Sequence, residues 1–196
     1  MKAKASEKKI YECILMLNHN EIENVITTVT NDLNSSEFSI LHKETWGKRS
    51  LAYKISKNKS AYYFAFYVEA NKSALEIFNK KLRMHQDIIR FLILDIKYVP
   101  EKMPPIARDI HEDDENHVPG QAKQKIEVNE EEEDDSDRGW ISFKNPFLLV
   151  KYISDLYKIL PRRFNGLNSA QQRILKQEIN IARFLAILPF VPVRKK

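Results

Sequence analysis

The 196-residue sequence contains one cysteine, four glycines and no long unbroken apolar run. A lone cysteine, Cys13, permits no intramolecular disulfide and no cysteine-based zinc site, and a free thiol inside an apolar run fits a reducing compartment. With so few glycines there is no glycine-rich loop to cradle a phosphate. The apolar stretches stop short of the roughly 18–20 residues that a spanning helix needs, so no membrane association is expected. Lys2, Lys4, Lys8 and Lys9 before Ile10–Leu17 superficially imitate a secretory leader. Glu12 interrupts that run, however, and Asn18-His19-Asn20 ends it without a small-residue cleavage site. A cytoplasmic protein is expected.

Catalytic and metal-binding groupings are also missing. His19, His42 and His85 are scattered, with no nucleophile or paired carboxylate in view. His111 and His117 lie among Glu112, Asp113, Asp114 and Glu115, but their spacing fits no helical zinc motif, and the cluster reads as solvated charge. The expectation is a non-enzymatic chain with no cofactor and no metal.

What is present is charge, unevenly distributed. Residues 1–99 carry 16 Lys/Arg against 11 Asp/Glu, residues 100–139 carry 5 against 14, and residues 140–196 carry 11 against 2. The overall net charge of +5 therefore hides an acidic middle of −9 and a basic end of +9. An excess of that size over fewer than sixty residues is the footprint of a polyanion binder.

Hydrophobic periodicity divides the first block into six elements. Ile10–Leu17 reads as a buried strand. Glu21–Leu33 places Ile22, Val25, Ile26, Val29 and Leu33 on one helical face, with Asn20 as N-cap. Phe38–Tyr53 is strand-like, with a bend at Trp46-Gly47. Lys57-Asn58-Lys59 is a polar turn into the aromatic strand Ala61–Glu69. A helix capped by Asn71 or Ser73 runs to Arg83, turning Ala74, Leu75, Phe78 and Leu82 inward, and Ile88–Ile96 is the last strand. The order strand-helix-strand-strand-helix-strand predicts an α+β, ferredoxin-like antiparallel sheet with both helices on one face.

Residues 100–139 contain Pro100, Pro104, Pro105, Pro119 and Gly120, then the acidic run Glu130–Asp135. Like charges without an apolar period predict a disordered linker. Residues 140–196 predict a small all-helical domain. A short helix from Asn145 or Pro146 carries Leu148, Leu149, Tyr152, Ile153 and Leu156. Turns follow at Leu160-Pro161 and Asn165-Gly166, and a helix capped by Asn168 or Ser169 runs to about Leu188. Leu175, Ile179, Ala182 and Leu185 form its inner stripe, and Pro189 ends it. So small a block needs a partner surface, and the tethered first domain is the nearest one.

Particular residues carry family resemblances. Tyr11-Glu12, Trp46-Gly47-Lys48-Arg49 with Leu51-Ala52-Tyr53, Tyr62-Tyr63 and Arg90-Phe91-Leu92 resemble bacterial small-subunit ribosomal protein six over roughly residues 10–96. Lys158-Ile159-Leu160-Pro161-Arg162-Arg163, Gly166-Leu167, Gln171-Gln172-Arg173, Ala182-Arg183 and Leu188-Pro189-Phe190 are similar to small-subunit ribosomal protein eighteen over about Phe143–Val191. The double resemblance implies a fusion of two partners that bind each other. It also implies that they join the platform on the central domain of the small-subunit ribosomal RNA, beside other small-subunit ribosomal proteins. Intramolecular docking of the two domains follows from the same resemblance. A linker of about forty residues spans roughly 35 Å and supplies a roughly millimolar effective concentration. Where the second family usually has basic residues, this chain has Ala170, Ile174, Asn180 and Ile181, which implies weaker direct RNA contact. A free-standing messenger-RNA-binding translational regulator is the alternative. An acyl-phosphate hydrolase, which a ferredoxin-like fold can host, finds no matching site.

The candidate RNA-binding residues are Arg162 and Arg163 after Pro161, then Arg173, Lys176 and Arg183 on the long helix, where phosphate contact is favoured over a plain solvated face. Lys48 and Arg49 at the strand bend are added, although lysines there also protect a strand edge. Arg194, Lys195 and Lys196 read equally as an RNA-threading tail or a frayed end. Tyr62, Tyr63, Phe64, Phe66 and Tyr67 match no RNA-stacking motif and read as core or docking surface.

Overall fold

The computed structural model describes residues 8–18, 22–33, 38–99 and 141–191. The expected acidic linker, the Asn20 cap and the basic tail of Arg194, Lys195 and Lys196 lie outside the described residues. The chain divides into two compact units, Met1–Met103 and Pro104–Lys196.

The first unit runs β1 (Lys9–Leu17), α1 (Ile22–Leu33), β2 (Phe38–Ile55), β3 (Asn58–Ala70), α2 (Lys72–Met84) and β4 (Ile88–Ile96). The sheet order is β2-β3-β1-β4, and β1 is antiparallel to both β3 and β4. This is the ferredoxin-like arrangement expected from the order of elements. Strand alternation sends Tyr11, Cys13, Leu15 and Leu17 of β1, with Phe64, Phe66 and Val68 of β3, into one core with Val25, Val29, Leu33, Phe78 and Leu82 of the helices. The 3.6-residue spacing in α1 and α2 produces that helical stripe. Cys13 is fully buried, and burial pushes its thiol pKa up to about 12, so it acts as a small core hydrophobe.

The opposite sheet face is also buried, with Ile14, Met16, Tyr63 and Ala65 all at 0% exposure. Glu12 and Tyr67, register partners across β1 and β3, meet there, and the Tyr67 hydroxyl donates to Glu12 Oε1 at 2.8 Å. Burial and the neighbouring carboxylate raise the Tyr67 pKa, so the phenol keeps the proton it donates.

The bend expected at Trp46-Gly47 is a break in the β2–β3 register between Thr45 and Gly47, with Gly47 at φ +75°. The extra residue frees Trp46 to stack on Tyr63 at 6.2 Å between centroids, with its indole N–H donating to Glu44 Oε2 at 2.9 Å. The hairpin turn falls one residue earlier than expected. Ile55 pairs with Asn58, and Ser56 and Lys57 form the turn at φ 48° and 74°.

The second unit contains α3 (Pro146–Val150), α4 (Arg162–Asn165) and α5 (Ser169–Phe184). Asn145 caps α3 by accepting from the Leu148 N–H, with Pro146 in the first turn, where a missing N–H costs nothing. Asn168 and Gln171 close a reciprocal capping box at the start of α5, with bonds of 2.8 and 3.0 Å. Leu175, Ile179, Ala182 and Leu185 are all fully buried, as their spacing predicts. Leu149, Tyr152, Ile153, Leu167 and Leu188 are buried with them in the second unit.

Two expectations need correction. The first helix of the second unit stops at Val150, and Leu156, expected on that helix, lies beyond it and is 67% exposed. The chain instead folds back through a small loop in which Ile153 bridges Ile159 and the Leu160 N–H donates to the Tyr152 carbonyl at 2.9 Å. The long helix ends at Phe184 rather than near Leu188. Ala186 turns to φ 53°, and the N–H groups of Ile187 and Leu188 both return to the Ala182 carbonyl. That reversal folds Leu188 back into the core, so apolar residues continue past the end of the helix.

Candidate nucleic-acid interface

In the second unit, the basic residues divide into an outward set and an inward set. Arg162, Arg163, Arg173 and Lys176 are exposed. Arg162 Nη1 donates to Ser169 Oγ at 3.0 Å, which brings the α4 guanidinium to the first residue of α5. Arg173 follows Ser169 by four residues and Lys176 follows Arg173 by three, so all three positions neighbour one another along one side of the helix. With a rise of 1.5 Å per residue the row extends about 10 Å. The ion pairs Lys9–Asp95 and Lys81–Asp32 belong to the first unit. Glu178, one of only two acids in residues 140–196, is turned to the Phe143 N–H at 2.8 Å. The outward set is therefore four exposed cations in a block that holds only two acids.

The inward set is Lys144 and Arg183. Lys144 is 5% exposed, with its ammonium 6.0 Å from the Phe143 ring centroid. Arg183 is half-buried, donates from Nη2 to the Tyr157 carbonyl, and lies 5.7 Å from the Phe190 ring centroid. Burial lowers its pKa from the ordinary arginine value, yet an arginine keeps its charge at neutral pH. Sequence reasoning grouped Arg183 with Arg173 and Lys176, but the fold gives its guanidinium partners inside the unit.

In the first unit, Lys48 is exposed while Arg49 is half-buried with Nε donating to the Trp46 carbonyl at 3.3 Å. As consecutive strand residues they point to opposite sheet faces, so they do not form one two-pronged clamp. Of the five clustered aromatics, Tyr63, Phe64, Phe66 and Tyr67 are buried and Tyr62 packs against the core, so none offers an open face to a base.

Sequence reasoning missed Lys151 and Lys158, both exposed on the same unit. The signal was available, since both belong to the basic block. Of the positions where Ala170, Ile174, Asn180 and Ile181 stand, Ala170 and Asn180 are exposed while Ile174 and Ile181 are half-buried. No helix among the described residues is long and apolar enough to cross a membrane. Among the described residues there is also no grouping of three potential metal ligands.

Comparison with known proteins assigns the two units separately. Residues 10–95 match the family described as Ribosomal protein S6, and residues 138–188 match the family described as Ribosomal protein S18. The small ribosomal subunit protein bS6 of Orientia tsutsugamushi is 30% identical over 105 residues, covering 52% of this chain and 89% of that protein. Its counterpart in Rickettsia prowazekii is 27% identical over 103 residues, covering 50% and 85%. A crystal structure of 30S ribosomal protein S6 from Thermotoga maritima matches with 24% identity and a TM-score of 0.44, covering 46% of this chain and 89% of that one.

Proposed function

Because this chain belongs to the ribosomal protein S6 family and carries a ribosomal protein S18 segment in the same polypeptide, we propose that it works as a fused pair on the platform of the small ribosomal subunit. Its role in the subunit is structural and not enzymatic, and its place is the cytoplasmic ribosome. Our reading goes further in three respects. The target is the central domain of the small-subunit ribosomal RNA, the two units dock on each other within one molecule, and the second unit supplies most of the phosphate contact.

The observation that carries the RNA-binding part is the outward row of Arg162, Arg173 and Lys176, joined by Arg163 on α4. Guanidinium groups held on a capped helix reach phosphate oxygens bidentately, and each neutralised phosphate releases counterions. Lys48, Arg49, Arg194, Lys195 and Lys196 complete the proposed set, whereas Arg183, whose guanidinium is turned to the Tyr157 carbonyl, is left out of it.

The test is fractionation. Ribosomes from cells making this chain are split into subunits at moderate salt and probed for it. The chain should travel with the small subunit and leave it only as salt rises. Recovery in the ribosome-free fraction at every salt would refute the assignment and favour a free-standing messenger-RNA regulator.

A further inference from the structure

We propose that Arg163 and Phe164 form a stacking platform for an unpaired RNA base, an inference that rests on the RNA-binding reading above. Helix α4 is a single turn, Arg162–Asn165, and none of its side chains is buried. Its backbone is nevertheless firmly held. The Phe164 N–H donates to the Pro161 carbonyl at 2.9 Å, and the Gly166 N–H to the Arg162 carbonyl at 3.1 Å. The Asn165 amide donates to the Leu160 carbonyl at 3.3 Å and to Gln172 Oε1 at 3.1 Å. Gly166 closes the turn in the left-handed conformation at φ 72°. The turn is thus a fixed pedestal that contributes nothing to the core and presents Arg162, Arg163 and Phe164 outward.

Phe164 is 64% exposed on this pedestal, a large apolar side chain that the packing of the unit does not use. The Arg163 guanidinium lies 4.9 Å from its ring centroid. That contact holds the ring and the cation together, so a base stacking on the phenyl also meets a charge suited to its adjoining phosphate. Arg162, on the same turn, is tied to Ser169 at the head of the cationic row. An exposed aromatic beside a line of phosphate-binding cations is the combination by which proteins hold unstacked bases, and any base offers the needed π-face. The phosphates would fix the strand, and Phe164 would take the base that leaves the stack.

Stacking and charge separate in a salt titration. The full chain is titrated with deproteinised small-subunit ribosomal RNA across a range of salt concentrations, using wild type, Phe164→Leu, Phe164→Trp and Arg163→Ala. Phe164→Leu keeps apolar bulk but removes the π-face, and should weaken binding about tenfold at every salt with the log–log slope unchanged. Phe164→Trp should restore wild-type affinity. Arg163→Ala should reduce the slope as well as the affinity. Because Phe164 is exposed, thermal midpoints should match, separating the effect from misfolding. A Phe164→Leu chain that binds RNA as wild type does overturns the platform alone and leaves the ring to a protein neighbour. A wild-type chain that does not bind this RNA overturns the reading beneath it as well.

Discussion

Arg183 shows how one residue type serves two purposes in the same helix. Tyr157 sits at φ 58°, where a bulky side chain costs about 1 kcal/mol or more. Its carbonyl accepts a charged hydrogen bond from Arg183, of a kind that contributes roughly 1.5–3 kcal/mol. The bond is large enough to offset the strain, so Arg183 holds the Tyr152–Leu160 loop closed. Replacing it with Met keeps much of the apolar stem and removes the donor. We expect Arg183→Met to loosen that loop by about 2 kcal/mol, speeding amide exchange at Ser154 and Leu160 by roughly 30-fold. The salt slope of RNA binding should stay near that of wild type, in contrast to Arg173→Ala. A lowered slope with unchanged exchange would return Arg183 to the RNA-contacting set. Nothing in the sequence distinguishes it from Arg173, because the difference lies in a loop carbonyl 26 residues away.

At the scale of elements, periodic features were legible, as were the bend and the turn that Gly47 and Gly166 mark, but reversals without a glycine were not. The inner stripes of α1, α2 and α5 were readable because burial imposes a period on sequence, and the Asn145 and Asn168 caps because orphan N–H groups need an acceptor. The loop after α3 was not readable: Leu156 continues an apolar spacing, yet the backbone has already left the helix. The end of α5 was misplaced for a related reason, since Leu188 is buried by folding back and not by continued helix. Within the site, the Arg162–Ser169 link that aligns the cations is tertiary, and only the residue types were visible beforehand. The β2–β3 hairpin supplies a prediction of the same kind. Its turn needs positive φ at both central positions, where Asn-Gly is favoured, but this chain has Ser56 and Lys57. The absent glycine is why the turn was read one residue late. Lys57→Gly should relieve about 1–2 kcal/mol of strain, partly offset by the freedom glycine gains in the unfolded chain. The net gain of about 0.5–1 kcal/mol should raise the midpoint of the first unit by a few degrees. A Lys57→Val chain should melt lower than wild type, and equal melting of all three would remove the strain argument.

At the scale of the whole molecule, the order of charges bears on how a fusion works. A segment of net −9 stands between a first block of +5 and a last block of +9, so the connector does not compete with the cationic end for phosphate. Its proposed contribution is proximity. Linkage through a segment of this length is expected to give the second unit a roughly millimolar effective concentration for the first, and such linkage multiplies affinity by about 10²–10⁴ without a new contact. The second unit has a small core of its own and few basic residues on α5, so its RNA affinity should depend on that proximity. A protease site introduced near Gly120 turns this into a measurement on one preparation. Before cutting, the chain should bind deproteinised small-subunit RNA with an affinity independent of its own concentration. After cutting, at nanomolar protein, affinity should fall roughly 100-fold or more, and adding excess second unit at micromolar concentration should recover it. Equal binding before and after cutting at nanomolar concentration would mean that the tether is dispensable and that the two units hold RNA, or each other, tightly enough alone.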